Sequence, residues 1–177
     1  IIYPIVMGWQ WGGGWLAAVG FSDFAGSTLV HSTGGSAALA GALLLGSRTG
    51  RFDAKGKLKA LQPFAASSVP LVTLGVFVLW LGWFGFNGGS QLALGTFTDA
   101  VAISTIFINT NLAACGGVMV AAIVPRLLSG KTDVIMMLNG AIGGLVAITA
   151  EPLAPSPLAA ILIGGVGGLI VVLGTKL

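Results

Sequence analysis

The sequence is short of charge. Asp, Glu, Lys and Arg make up 7% of its 177 residues, where a soluble domain carries about 25%. With a mean hydropathy of +0.99, this excludes a soluble globular enzyme and a disordered chain. Eight basic and five acidic residues leave a net charge of +3. So few groups cannot track a phosphate backbone, and no nucleic acid is expected as a partner. Cysteine occurs once, at Cys115, which excludes a disulfide framework and a cysteine-cluster metal site. Histidine also occurs once, at His31. No signal or transit pattern precedes the apolar sequence, which starts at Ile1, so the chain is expected to be a fragment of a longer one.

Present in excess are apolar residues, 55%, and glycine, 29 of 177. This is the composition of an all-α, polytopic transmembrane helical bundle. Cutting at charged residues leaves the intervals 1–22, 24–47, 60–98, 100–125, 134–150 and 152–175. A spanning helix needs about 17–25 apolar residues, so 60–98 alone has room for two. The basic residues decide against two. They cluster at Arg48, Arg51, Lys55, Lys57 and Lys59, at Arg126 and Lys131, and at Lys176. Lys and Arg collect on the cytoplasmic side, and one span in 60–98 puts all three clusters there. The expected layout is a partial helix near 1–18 and five spans near 24–46, 64–88, 99–125, 133–149 and 158–175. Residues 1–177 then form a single, incomplete membrane domain of the cell (inner or plasma) membrane. Loops 48–59 and 126–131 are expected to be cytoplasmic, and Asn87-Gly88-Gly89-Ser90-Gln91 reads as an outer loop rather than a helix interior.

Helix-start signals agree. Asp23, Asp99 and Thr132-Asp133 precede spans and can cap free amides. Pro125 and Arg126 close one span, and Glu151-Pro152-Leu153-Ala154-Pro155-Ser156-Pro157 is a breaker cluster. The glycine pairs Gly85/Gly89, Gly140/Gly144 and Gly164/Gly168 have the small-xxx-small spacing that lets helices approach in lipid; some could instead line a pore wall.

An ionisable residue at bilayer depth is a functional hypothesis by default. His31 is one, and its neighbours on a helix face are Ser27, Thr28, Gly34 and Gly35, small and polar. The alternative is a structural histidine bonded to a neighbouring helix. Asp23, eight residues earlier, lies about 12 Å away along a helix. It suits a helix cap or a cation-favouring charge at an outer mouth. Trp9, Trp11 and Trp15 cluster at the outer end of the first helix, and Trp9 and Trp15 fit an interfacial belt. Trp80 and Trp83 lie among glycines that can put ring faces against a pore, where a desolvated cation gains about 2 kcal/mol or more. Asn109, Thr110, Asn111 and Asn139 suit interhelical hydrogen bonds.

The stretches Trp11-Gly12-Gly13-Gly14, Asp23-Phe24-Ala25-Gly26-Ser27-Thr28-Leu29-Val30-His31 and Gly82-Trp83-Phe84-Gly85-Phe86-Asn87-Gly88-Gly89-Ser90 resemble the ammonium transporter family (Amt, with its Mep and Rh relatives). Asn109-Thr110-Asn111-Leu112-Ala113-Ala114 and Asn139-Gly140-Ala141-Ile142-Gly143-Gly144-Leu145-Val146 match more weakly, and the likeness runs along the whole chain. The family has eleven spans with the N-terminus outside, and this chain looks like the end of the fourth through the ninth. The family's second pore histidine, on the tenth span, and one of two stacked phenylalanines then fall outside it.

The resemblance implies an ammonium/ammonia channel or transporter, with methylammonium as substrate analogue. Trp11 and Ser90 would form an outer ammonium site, with Asp23 stabilising the mouth. Phe86 would narrow the pore, Trp83 would pack beside it, and His31 would line it. Trp11 and Ser90 match an Amt-like rather than an Rh-like member. The resemblance also implies a homotrimer, a PII-type signal protein at the cytoplasmic face, no cofactor and no enzymatic activity. One alternative is the sensor module of a signalling protein. A membrane enzyme using Ser90 and His31 would need the two within hydrogen-bond reach, and an outer loop and mid-membrane are not.

Overall fold

The computed structural model describes residues 1–52, 57 and 66–175. Lys55, Lys59 and Lys176, part of the basic clusters, lie outside the described residues. The fold is the expected all-α bundle. Its helices are α1 (Ile2–Gln10), α2 (Trp15–Ala18), α3 (Ser27–Leu45), α4 (Val69–Gly89), α5 (Phe97–Ser129), α6 (Val134–Ile148) and α7 (Pro157–Gly174). Among the described residues, α3, α4, α5 and α7 are long and apolar enough to cross a membrane, and α6 is a shorter apolar helix.

Helix starts follow local chemistry. Ser68, Asp133 and Ser156 each accept a backbone amide of the turn they open, and Pro70 and Pro157 occupy first-turn positions where no amide is missed. Four boundaries differ from expectation. Asn87-Gly88-Gly89, expected in an outer loop, are the last turn of α4, with Asn87 and Gly88 buried. The cap of α5 is Thr96 rather than Asp99. Thr96 Oγ1 accepts the Asp99 amide, and the Asp99 carboxylate accepts the Thr96 amide in return. At its other end α5 does not close at Pro125 but continues to Ser129. The proline is buried among the bundle helices, and Gly130, with φ 73°, ends the helix by donating its amide to the Arg126 carbonyl at 2.9 Å. The partial first helix is broken into α1 and α2. Gly13, with φ +73°, turns the chain, and a Cβ at Gly12 or Gly14 would run into the Gly8 backbone.

The core is the packing of α5, α6 and α7 on one another through small residues. A Cβ at Gly164 would collide with the Ala113 carbonyl, and one at Gly168 or Gly140 with that of Gly117. Gly144 sits equally close to Ala113, and Gly116 to the Ile161 carbonyl. Lipid is as apolar as leucine, so such close approach, with its dispersion contacts, replaces the hydrophobic drive. The pair Gly85/Gly89 does not share this role: a Cβ at either position would meet nothing within 4 Å.

At about 1.5 Å per residue, α5 spans about 50 Å and overruns the hydrocarbon layer, whereas α6 covers about 22 Å and falls short of it. Irregular backbone completes α6 at its C-terminal end. The Phe24 amide donates to the Ala150 carbonyl at 2.7 Å, and the Ala25 amide to Thr149 at 3.0 Å. The Asn109 side-chain amide donates to the carbonyls of Pro152 (2.9 Å) and Pro155 (2.8 Å). Non-helical backbone at membrane depth is tolerated where protein satisfies it in this way. These bonds bring the start of α3, the end of α6 and the 151–156 loop to one end of the bundle. Arg48 and Arg51 follow the other end of α3, Arg126 lies in the last turn of α5 and Lys131 just beyond it.

Candidate functional site

The site is built from the loop at residues 23–26 upward. Asp23 is 2% exposed, and both its carboxylate oxygens are taken. Oδ1 accepts the amides of Gly26 (2.9 Å) and Ser27 (3.0 Å), and Oδ2 those of Thr28 (2.8 Å) and Leu29 (2.9 Å). One residue thus satisfies the four amides that a helix start leaves open. It also absorbs an irregularity. Residues Ser27–Ser32 form a π-helical turn in which the Gly26 carbonyl accepts from both Val30 (2.9 Å) and His31 (3.1 Å). Gly26, with φ +111°, makes the turn into it, and a side chain there would strike Val30. Such π turns are rare and concentrate at functional sites. Here the turn carries His31.

The imidazole of His31 packs against two rings of α4. Its centroid lies 5.0 Å from Trp83 at 23°, and 5.5 Å from Phe86 at 30°. Nε2 is buried and has no hydrogen-bond partner among the described residues. Trp11 is 40% exposed, its indole N–H donating to the Asp23 backbone carbonyl at 2.8 Å. Ser90 closes α4, and its hydroxyl donates to the Phe86 carbonyl at 2.9 Å, not to His31. Of the six residues singled out in the sequence, Trp11 is thus bonded to Asp23, and His31, Trp83, Phe86 and Ser90 are linked by direct contacts; the two groups meet through the turn that Asp23 caps.

A match along the whole of this chain gives its family. The sequence pattern of the Ammonium Transporter Family matches residues 1–177. The chain belongs to the ammonium transporter family. Ammonium transporter Amt2 of Archaeoglobus fulgidus is 42% identical over 98% of this chain and 38% of its own length. The solved structure of a protein titled Sensor Amt Protein superposes with a TM-score of 0.86 at 39% identity, over 98% of this chain and 43% of that one. Mep2 of Candida albicans gives 0.80 at 34% identity, over 96% and 36%. This ammonium transporter family chain thus spans about two fifths of the length of the relatives it matches.

Sequence reasoning missed a second layer behind the rings. Trp83 Nε1 donates to Thr149 Oγ1 at 2.8 Å, and the Thr149 hydroxyl reaches the Leu145 carbonyl at 2.6 Å. Asn87 Nδ2 donates to Thr110 Oγ1 at 3.0 Å. Asn87, Thr110 and Thr149 are fully buried. Thr110 makes the interhelical bond expected of it, whereas Asn109 bonds the 151–156 loop rather than a helix. Among the described residues Asn111 and Asn139 make no such bond: Asn111 is exposed in a groove with Phe77, Trp80 and Cys115, and Asn139 lines an apolar cavity between α6 and α7. Thr149 could have been found only as a threonine one turn before a breaker cluster, a weak signal.

Proposed function

We propose that this chain is the central part of an ammonium transporter that recognises ammonium outside and conducts ammonia past His31. The observation that carries the reading is the imidazole set against Trp83 and Phe86 with Nε2 unpartnered. An apolar, ring-walled passage makes an intact cation costly by several kcal/mol. A solute that leaves its proton outside avoids most of that, and a ring nitrogen without a protein partner can hydrogen-bond the neutral amine. Potassium has no proton to leave and is selected against.

The outer site follows the same logic. Trp11 offers an indole face, held by its bond to Asp23. The Ser90 hydroxyl spends its proton on Phe86, which leaves its lone pairs to accept from a cation. Asp23 acts through its charge and by fixing the loop, since both oxygens already serve amides. We also propose a single membrane domain in the cell membrane, a homotrimer and a PII-type partner at the cytoplasmic face; loops 48–59 and 126–131 are placed at that face on their Lys and Arg content.

Two measurements on the full-length protein test the reading. Trp11→Leu or Ser90→Ala should raise the half-saturating methylammonium concentration about two- to five-fold, as loss of a partly exposed cation–π contact or of one hydrogen bond predicts; an unchanged value overturns the outer site. His31→Ala should change the ratio of ammonium to potassium current, and identical ratios overturn its role. A second reading, the membrane module of an ammonium sensor, is favoured by the likeness to the protein titled Sensor Amt Protein. Signalling sequence following the last span of the parent protein would decide for it.

A further inference from the structure

Thr149 sits where two sides of the candidate passage are tied together. Its backbone carbonyl accepts the Ala25 amide at 3.0 Å, beside the Phe24 bond to Ala150, and so holds the loop whose Asp23 caps the turn carrying His31. Its hydroxyl oxygen accepts the Trp83 indole N–H at 2.8 Å, and so holds the ring that packs on His31. The hydroxyl proton goes to the Leu145 carbonyl at 2.6 Å, with Asn87 Oδ1 the next acceptor at 3.2 Å. Thr149 is fully buried and touches neither His31 nor Phe86 by a ring contact or hydrogen bond, so it acts on the passage through Trp83.

We propose that Thr149 is a positioning residue for conduction: through Trp83 it sets the face that His31 packs against, and with it the width and orientation of the passage. The proposal rests on the transport reading above. A threonine hydroxyl can hold an indole in this way because it accepts and donates at once. A valine has the same shape and can do neither, which leaves a buried indole N–H unpaired. The indole then swings to find another acceptor, and the ring that packs on His31 moves with it.

The test uses the full-length protein with Thr149→Val, Thr149→Ser and Trp83→Phe. Thr149→Val should lower maximal methylammonium flux about five-fold, the weight of one hydrogen bond, while leaving the half-saturating concentration near that of the parent. Thr149→Ser, which keeps the hydroxyl, should recover most of that flux. On a Trp83→Phe background Thr149→Val should add little, because the bond it removes is already gone. In protein labelled with nitrogen-15 tryptophan, the Trp83 indole resonance should move in Thr149→Val while those of Trp9, Trp11, Trp15 and Trp80 stay.

An unmoved Trp83 resonance overturns the contact. A moved resonance with unchanged flux, or a flux loss that persists in full on the Trp83→Phe background, overturns the positioning role and leaves the transport reading standing. A parent protein without methylammonium flux overturns the transport reading and this role with it, and the resonance still decides the contact.

Discussion

Asp23→Ala should cost the full-length protein its fold around His31 and, with it, transport. The carboxylate serves four amides, two of them in fully buried bonds, those of Gly26 and Leu29. A buried amide left without a partner costs about 1–3 kcal/mol, so these two alone amount to about 2–6 kcal/mol. Alanine offers no acceptor, and a helix start at membrane depth has little water to turn to. The π turn should relax toward ordinary helix, which rotates His31 off Trp83 and Phe86. The expected result is a fall of many degrees in the thermal midpoint in detergent and loss of methylammonium uptake. Asp23→Asn separates the two roles of the residue. It keeps one oxygen for two amides and turns an NH2 group toward the other two, so its midpoint should fall between those of the parent and Asp23→Ala. If Asp23 contributed only charge, both variants would fold like the parent and lose transport equally. That pattern sinks the cap argument.

Much of this geometry could be read from the residues, and what could not has identifiable causes. The spans were legible because charge is so scarce that each charged residue marks a boundary, and because Arg and Lys sort to one side. Capping by Asp23 and Asp133 and close packing at Gly140/Gly144 and Gly164/Gly168 were among the roles that local spacing offered. The π turn at Ser27–Ser32 was not. A shift of backbone partner from four residues to five leaves no mark in composition, and here it depends on one carboxylate reaching four amides. The break between α1 and α2 was written in Gly12-Gly13-Gly14, but the direction of the turn comes from the close approach to Gly8. Thr149 was missed because a threonine in an apolar helix commonly bonds its own preceding turn. Thr149 does this with Leu145, and that bond hides the second one to Trp83. The spacing of Asn111 and Gly85/Gly89 fits a packed face, and among the described residues nothing packs there.

Gly164→Leu should prevent the bundle from assembling. Even the first carbon of a side chain at Gly164 would lie inside the Ala113 carbonyl, backbone against backbone, with no rotamer able to relieve it. The two helices would have to separate along their whole crossing, since Gly116 meets Ile161 and Gly168 meets Gly117 on the same seam. Overpacking a core costs about 1–3 kcal/mol where side chains can shift; here they cannot, so Gly164→Ala should already lower the thermal midpoint and leucine should abolish a folded, monodisperse protein. Gly85→Ala is the control. Its Cβ enters open space, and alanine favours a helix over glycine by about 1 kcal/mol, so its midpoint should hold or rise. Gly164→Leu protein that melts within a few degrees of the parent would refute the close-packed seam. The seam matters beyond stability. Asn109, one turn before Ala113 on α5, clamps the carbonyls of Pro152 and Pro155, and that loop follows directly from Thr149. Forcing α5 away from α7 therefore pulls on the residue that holds Trp83 against His31, so Gly164→Ala should lose methylammonium flux even in the fraction that remains folded.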